Sequence, residues 1–74
     1  MSFQARLLYL ISWILRLPTG RIANSTDFRT DLDMDDTDMS LMIFQLENYF
    51  QKELTREEID NVQTVQDLGR LLSH

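Results

Sequence analysis

Strong backbone punctuation is scarce in this chain: Pro18, Gly20 and Gly69 are its only proline and glycines in 74 residues. A sheet of short strands turns about every 8–12 residues and draws on Gly and Pro to do so. Long, uninterrupted elements are what this chain can build. Leu, Met, Glu, Gln and Arg are well represented, and all of them favour helix. The expectation is an all-α fold in a single domain over residues 1–74, near the size at which one core only just supplies enough stability. With no cysteine, neither a disulfide nor a thiolate metal site can brace it, which fits a cytoplasmic setting.

From Phe3 to Leu17 the chain reads FQARLLYLISWILRL, and Phe3, Leu7, Leu10, Ile11, Ile14 and Leu15 recur at the spacing of one helical face. Ser2 is placed to cap this helix, and Pro18 to stop it just past Leu17. Leu8, Tyr9 and Trp13 fall off the stripe and are expected to face outward. The apolar run from Leu7 to Leu15 is well short of the roughly 20 residues that span a bilayer. Arg6 before that run has the outline of a secretory leader, but Arg16 and Pro18 follow at once and no small-x-small cleavage site does. The segment reads as a core helix.

Residues 18–30, PTGRIANSTDFRT, form a long loop pinned by two apolar anchors, Ile22 and Phe28. The next stretch, DLDMDDTDMSLMIFQLENYF, packs Asp31, Asp33, Asp35, Asp36 and Asp38 together and runs straight into a helical pattern. A carboxylate at Asp35 or Asp36 can cap the start of that second helix and meet its positive dipole end. Met39, Met42, Ile43, Leu46 and Phe50 form its buried stripe, leaving Leu41, Phe44, Glu47 and Asn48 on other faces. Thr55-Arg56-Glu57-Glu58 has the pattern of a capping box opening a short third helix, with Ile59 and Val62 turned inward. Thr64 can cap a last helix from Val65 to Leu72 that buries Val65, Leu68, Leu71 and Leu72.

Charge is divided unevenly. Residues 1–30 hold four Arg against one Asp, a balance of +3, and residues 31–74 hold eleven acids against three bases, a balance of −8. The acidic half repels phosphate backbones, which excludes nucleic acid, and suits a basic protein surface.

With these elements in place, the chain resembles the acyl carrier proteins. The likeness is carried by Phe28, Asp31-Leu32, Asp35 opening a helix, Leu46-Glu47, Phe50 and Leu54, then in step by Glu57-Glu58 and Thr64-Val65. Its register holds without gaps from the first helix to Leu72. The resemblance implies a right-handed bundle of three main helices and one short one, with the long loop wrapping one side. It also implies an Asp-Ser-Leu at the start of the second helix, whose serine carries a phosphopantetheine arm and, through its thiol, an acyl thioester. This chain has Asp35-Asp36-Thr37 there.

That difference decides the chemistry. Attachment needs a hydroxyl that attacks the pyrophosphate of coenzyme A and leaves a stable phosphodiester. A carboxylate at Asp36 is a weaker nucleophile, and its product is an acyl phosphate that water cleaves. Thr37 sits about 100° round the helix and about 1.5 Å along it. Ser40 shares the Asp36 face about 6 Å further on by the same rise. A transferase that positions its target to about 0.5 Å does not follow either shift. No cofactor is expected.

Asp31-x-Asp33-x-Asp35 looks like the opening of a calcium loop, but the sixth and twelfth positions, Asp36 and Met42, are not the Gly and Glu such a loop requires. The expectation there is weak divalent binding at Asp31, Asp33 and Asp35 that relieves crowded negative charge. Asp35 and Asp36 lack any nucleophile–base pair beside them, and the sole histidine is the terminal His74, so no catalytic residue and no enzyme activity are expected.

The resemblance implies that partners dock on the second helix through acids. Asp35, Asp38 and Glu47 keep that charge, while Leu41, Phe44 and Asn48 make the strip more apolar; the expected partner surface is basic and partly apolar. Leu8, Tyr9 and Trp13 are a second candidate interface, for a homodimer through the first helix or a partner protein, with Arg6 and Arg16 offering a less favoured membrane-surface reading. The function expected is a non-catalytic carrier-like module docking on a fatty-acid or polyketide-type synthase or an acyltransferase. The alternative is a working acyl carrier, modified at Thr37 or Ser40 or read here as a serine-to-aspartate variant.

Overall fold

The computed structural model describes residues 2–73, and its fold is all-α: α1 (Phe3–Leu15), a 3-10 turn (Thr19–Arg21), α2 (Asp36–Phe50), a short α3 (Arg56–Asp60) and α4 (Val65–Leu72). His74 lies outside the described residues.

Capping decides where each helix starts. The Ser2 hydroxyl accepts from the Ala5 N–H at 3.1 Å. The other three helices open with reciprocal capping boxes, pairing Asp35 with Asp38, Thr55 with Glu58 and Thr64 with Asp67. In each pair, two backbone N–H groups that the helix cannot satisfy are given side-chain acceptors.

The end of α1 corrects the sequence expectation. The helix stops at Leu15, because Arg16 adopts the left-handed conformation at φ 59°. The N–H groups of Leu17 and Arg16 then fold back onto the carbonyls of Ser12 at 2.8 Å and Trp13 at 3.3 Å, a Schellman closure. Pro18 disfavours helical geometry at Leu17, and the turn forms upstream of it.

The core gathers one stripe from each long helix. Leu7 and Ile11 of α1 meet Met39, Met42, Ile43 and Leu46 of α2 and Val65, Leu68 and Leu72 of α4. Ile22 and Phe28 anchor the loop in that core, as the sequence led one to expect, and Met34 joins them from the acidic stretch. Leu8 departs from expectation: it is half-buried and packs on the core, so only Tyr9 and Trp13 of that trio are exposed. At one end Phe3 and Phe50 touch with ring centroids 5.1 Å apart, and at the other Leu15 and Leu17 line the same hollow as Asp38 and Leu41. Helices α1 and α2 are therefore antiparallel neighbours. Against α4, the amide end of Gln4 lies so close to Gly69 that a Cβ there would require the Gln4 side chain to move.

The long loop is clamped to the start of α4. Phe28 N–H donates to the Gln63 carbonyl at 2.9 Å, while Val65 and Gln66 donate to the carbonyls of Thr26 and Asn24 at 3.2 and 2.9 Å. Within the loop, the Asp27 carboxylate accepts from the N–H groups of Arg29 and Thr30, and the Asp31 carboxylate accepts from Asp27 N–H. The Asp27 carboxyl is held below its ordinary range chiefly by the Thr30 N–H, and that of Asp67 chiefly by the Thr64 N–H.

Two outcomes follow from this packing. Phe28→Ala removes a fully buried ring, at a cost of about 3–5 kcal/mol. That approaches the whole stability of so small a domain, and urea titration followed by circular dichroism should find the variant largely unfolded without denaturant. Acid acts on the two carboxylates. Their folded-state values lie below the unfolded value of about 3.9, so their stabilisation is complete above that value and is lost as pH falls through the folded ones. Melts between neutral pH and pH ~3 should show the parent losing stability below about pH 4, with a shallower loss in Asp67→Asn. A gap between the two that stays constant across that range would contradict the assignment to Asp67.

Candidate functional site

The site is built at the N-terminus of α2. Asp33 sits in the left-handed region at φ 56°, which Asp enters at lower cost than most side chains. The turn leaves Met34 in the core and Asp35 extended as the N-cap. Asp35 accepts from Asp38 N–H at 2.8 Å, and Asp38 accepts from Asp35 N–H at 3.3 Å. Asp36 is then the first helical residue, where a negative charge meets the positive end of the helix dipole. Its carboxylate is 81% exposed and lies 2.7 Å from the Arg29 guanidinium, which reaches it from the clamped loop. No sequence pattern marks Arg29 as this partner; the loop fold brings it there.

The expected partner-facing residues divide. Leu41 and Phe44 are 59% and 62% exposed, and Asn48 lies with them on the outer side of α2. Asp35 and Asp38 remain at the surface while serving as each other's caps. Glu47 is half-buried and accepts from Leu54 N–H at 2.7 Å, which ties the α2–α3 connection to α2 and takes the carboxylate out of the open strip. A hollow of about 510 Å³ lies beside it, between Phe44, Asn48, Leu54 and Thr55. Thr37 and Ser40 are both exposed. Tyr49 is an exposed aromatic that the sequence reading did not single out.

The acidic stretch does not form a metal cage. Asp31 faces the Asp27 N–H and Asp35 faces the Asp38 N–H, and among the described residues no three acidic or histidine side chains converge to hold a metal ion. Nor is any described helix long and apolar enough to cross a membrane.

A helical bundle whose second helix opens at an exposed residue, below a long clamped loop, is the architecture of a carrier-type domain. The family model described as the phosphopantetheine attachment site matches residues 5–72, and the chain belongs to that family. No curated protein matches it.

Whether the family's group fits here is a question of donor chemistry. The residue at the head of α2 offers a carboxylate already paired with Arg29, not a hydroxyl. A phosphoryl group placed on that carboxylate would be an anhydride open to water.

The Arg29–Asp36 pair is a surface contact, worth at most about 1 kcal/mol. Arg29→Ala and Asp36→Ser should each lower the unfolding free energy from urea titration by no more than that, and the loss should shrink as NaCl screens the pair. A larger loss that persists in high salt would mean that the pair supports the fold.

Proposed function

We propose that this chain is a non-catalytic carrier-fold module that bears no phosphopantetheine and acts by docking on a partner protein. The observation behind this reading is Asp36 at the head of α2, where the family resemblance puts the attachment serine, exposed and paired with Arg29. Its carboxylate keeps a permanent negative charge at the point where a modified relative carries a phosphodiester. A partner that recognises an anion at the start of this helix can therefore bind the chain without any modification step.

The docking surface is the outer side of α2, with Asp35, Asp36 and Asp38 at its head and Leu41, Phe44 and Asn48 along it. Glu47 contributes by fixing Leu54 beside Phe44. The complementary partner is basic opposite the first turn and apolar opposite Leu41 and Phe44, as on a fatty-acid or polyketide-type synthase or an acyltransferase. Charge complementarity of this kind governs association rate and partner choice more than affinity. A cytoplasmic setting goes with such a partner.

Incubation with coenzyme A, Mg2+ and a promiscuous phosphopantetheinyl transferase, followed by intact-mass measurement, tests the reading. The parent chain should show no mass gain, and Asp36→Ser should gain one phosphopantetheinyl group. A gain by the parent, traced to Thr37 or Ser40, would establish a working carrier instead. If neither protein gains mass, the head of α2 is not an attachment position in this chain and the assignment of Asp36 fails.

A further inference from the structure

A furrow runs between α1 and α2, on the flank of α2 away from Asp36. Two hollows of about 550 and 570 Å³ adjoin along it and share Ile14, Leu17 and Gln45. Trp13 stands on the α1 wall at 78% exposure, and Leu41 stands exposed on the α2 wall.

The two walls differ in charge. On α1, Arg6, Tyr9 and Trp13 follow one another at steps of three or four residues, which sets them in one line, and Arg16 follows in the turn that closes the helix; all four are exposed. Neither Arg6 nor Arg16 enters an ion pair among the described residues, and no acid precedes Asp27 in the chain. This ridge is aromatic and basic. In the loop leading into α2 and in its first turn, Asp31, Asp33 and Asp38 line the same hollow as Leu41 and Arg21, so this end carries three acids against one base.

We propose that this furrow is where two copies of the chain associate, paired about a two-fold axis lying along it, so that α1 of each copy rests on α2 of the other. A half-turn about an axis parallel to the helices preserves their direction while exchanging their places. The α1 helix of one copy therefore meets α2 of the other antiparallel, as the two meet within a single copy. Arg16 comes to the acidic first turn of the opposite α2, and Trp13 comes to the stretch between Leu41 and Gln45. Such a contact is isologous and closes at two copies. The simpler pairing of α1 on α1 would crowd the arginines of both ridges together with no acid between them. A standard interface takes about 800 Å² from each partner, a modest share of the 5000 Å² surface of one chain. Phe44 and Asp36 lie on the other flank of α2, but Leu41 and Asp38 belong to both surfaces, so pairing of two copies competes with the partner docking proposed above.

Sedimentation equilibrium of the parent and two variants, Trp13→Glu and Leu41→Lys, tests the pairing. The parent should approach twice the 8.8 kDa of one chain as concentration rises, and more weakly at high salt. Each variant alone spoils both halves of the symmetric contact and should stay monomeric. An equimolar mixture of the two should dimerise, because one half then pairs the new carboxylate with the new ammonium and the other keeps Trp13 against Leu41. Both positions are exposed, and matching circular dichroism and melting curves for parent and variants verify that all three fold. Trp13→Gln, which removes the ring without adding charge, should weaken the dimer at least about tenfold. Three results would overturn the proposal: a parent that stays monomeric to about millimolar concentration, a Leu41→Lys variant that dimerises alone, or a mixture that does not dimerise.

Discussion

The amide hydrogens at the start of α4 are the constraint on which the rest of this small structure hangs. A helix leaves its first N–H groups without partners, and a helix of eight residues is too short to form without outside support. Here every one is answered. Thr64 donates to Asp67, Val65 to Thr26, Gln66 to Asn24, and Asp67 back to Thr64. Two of these acceptors are carbonyls of the long loop, so the contacts that let α4 form also fasten the loop. Once fastened, the loop sets Phe28 in the core and carries Arg29 to the head of α2.

That dependence explains why an irregular segment can present a defined site. The stretch from Ile22 to Asp35 makes no regular secondary structure of its own. It is held by Phe28 and Met34 in the core, by the carboxylates of Asp27 and Asp31 turned onto loop N–H groups, and by the clamp to α4. Much of the crowded acidic charge is thereby used locally. Asp31, Asp35 and Asp38 face backbone donors, and Asp36 faces a guanidinium.

The helices and most of the core were legible in the sequence because periodicity and capping pairs are local signals. Thr55 with Glu58 and Thr64 with Asp67 sit three residues apart and announce their helices wherever the rest of the chain goes. What escaped depended on contacts between distant segments. Arg29 has no local signal that names Asp36 as its partner, and the Glu47 bond to Leu54 depends on how the chain turns after Gln51. Leu8 misled for a related reason: a helical wheel shows angle from one stripe, whereas α1 is covered on two sides, by α2 and by α4. Arg16 ended its helix early because an αL residue closes a helix through backbone bonds that any side chain permits at a moderate cost.

The same geometry separates two surfaces on α2. Residues on one flank, Asp36 and Phe44, look toward Arg29 and the α2–α3 connection, and residues on the other, Asp38 and Gln45, look toward α1. Leu41 lies on the crest above the second of these. A helix this exposed in so small a domain would ordinarily be a liability, since large apolar side chains in water favour non-specific association. Charge at its head would make the proposed associations selective. The acids of the first turn repel acidic surfaces and favour basic ones, such as the acid-free ridge of α1. On the proposed reading the sign of the residue at the head of α2 matters twice: a carboxylate at Asp36 would take the place of the hydroxyl needed for modification and would add to the field that selects what the helix can touch.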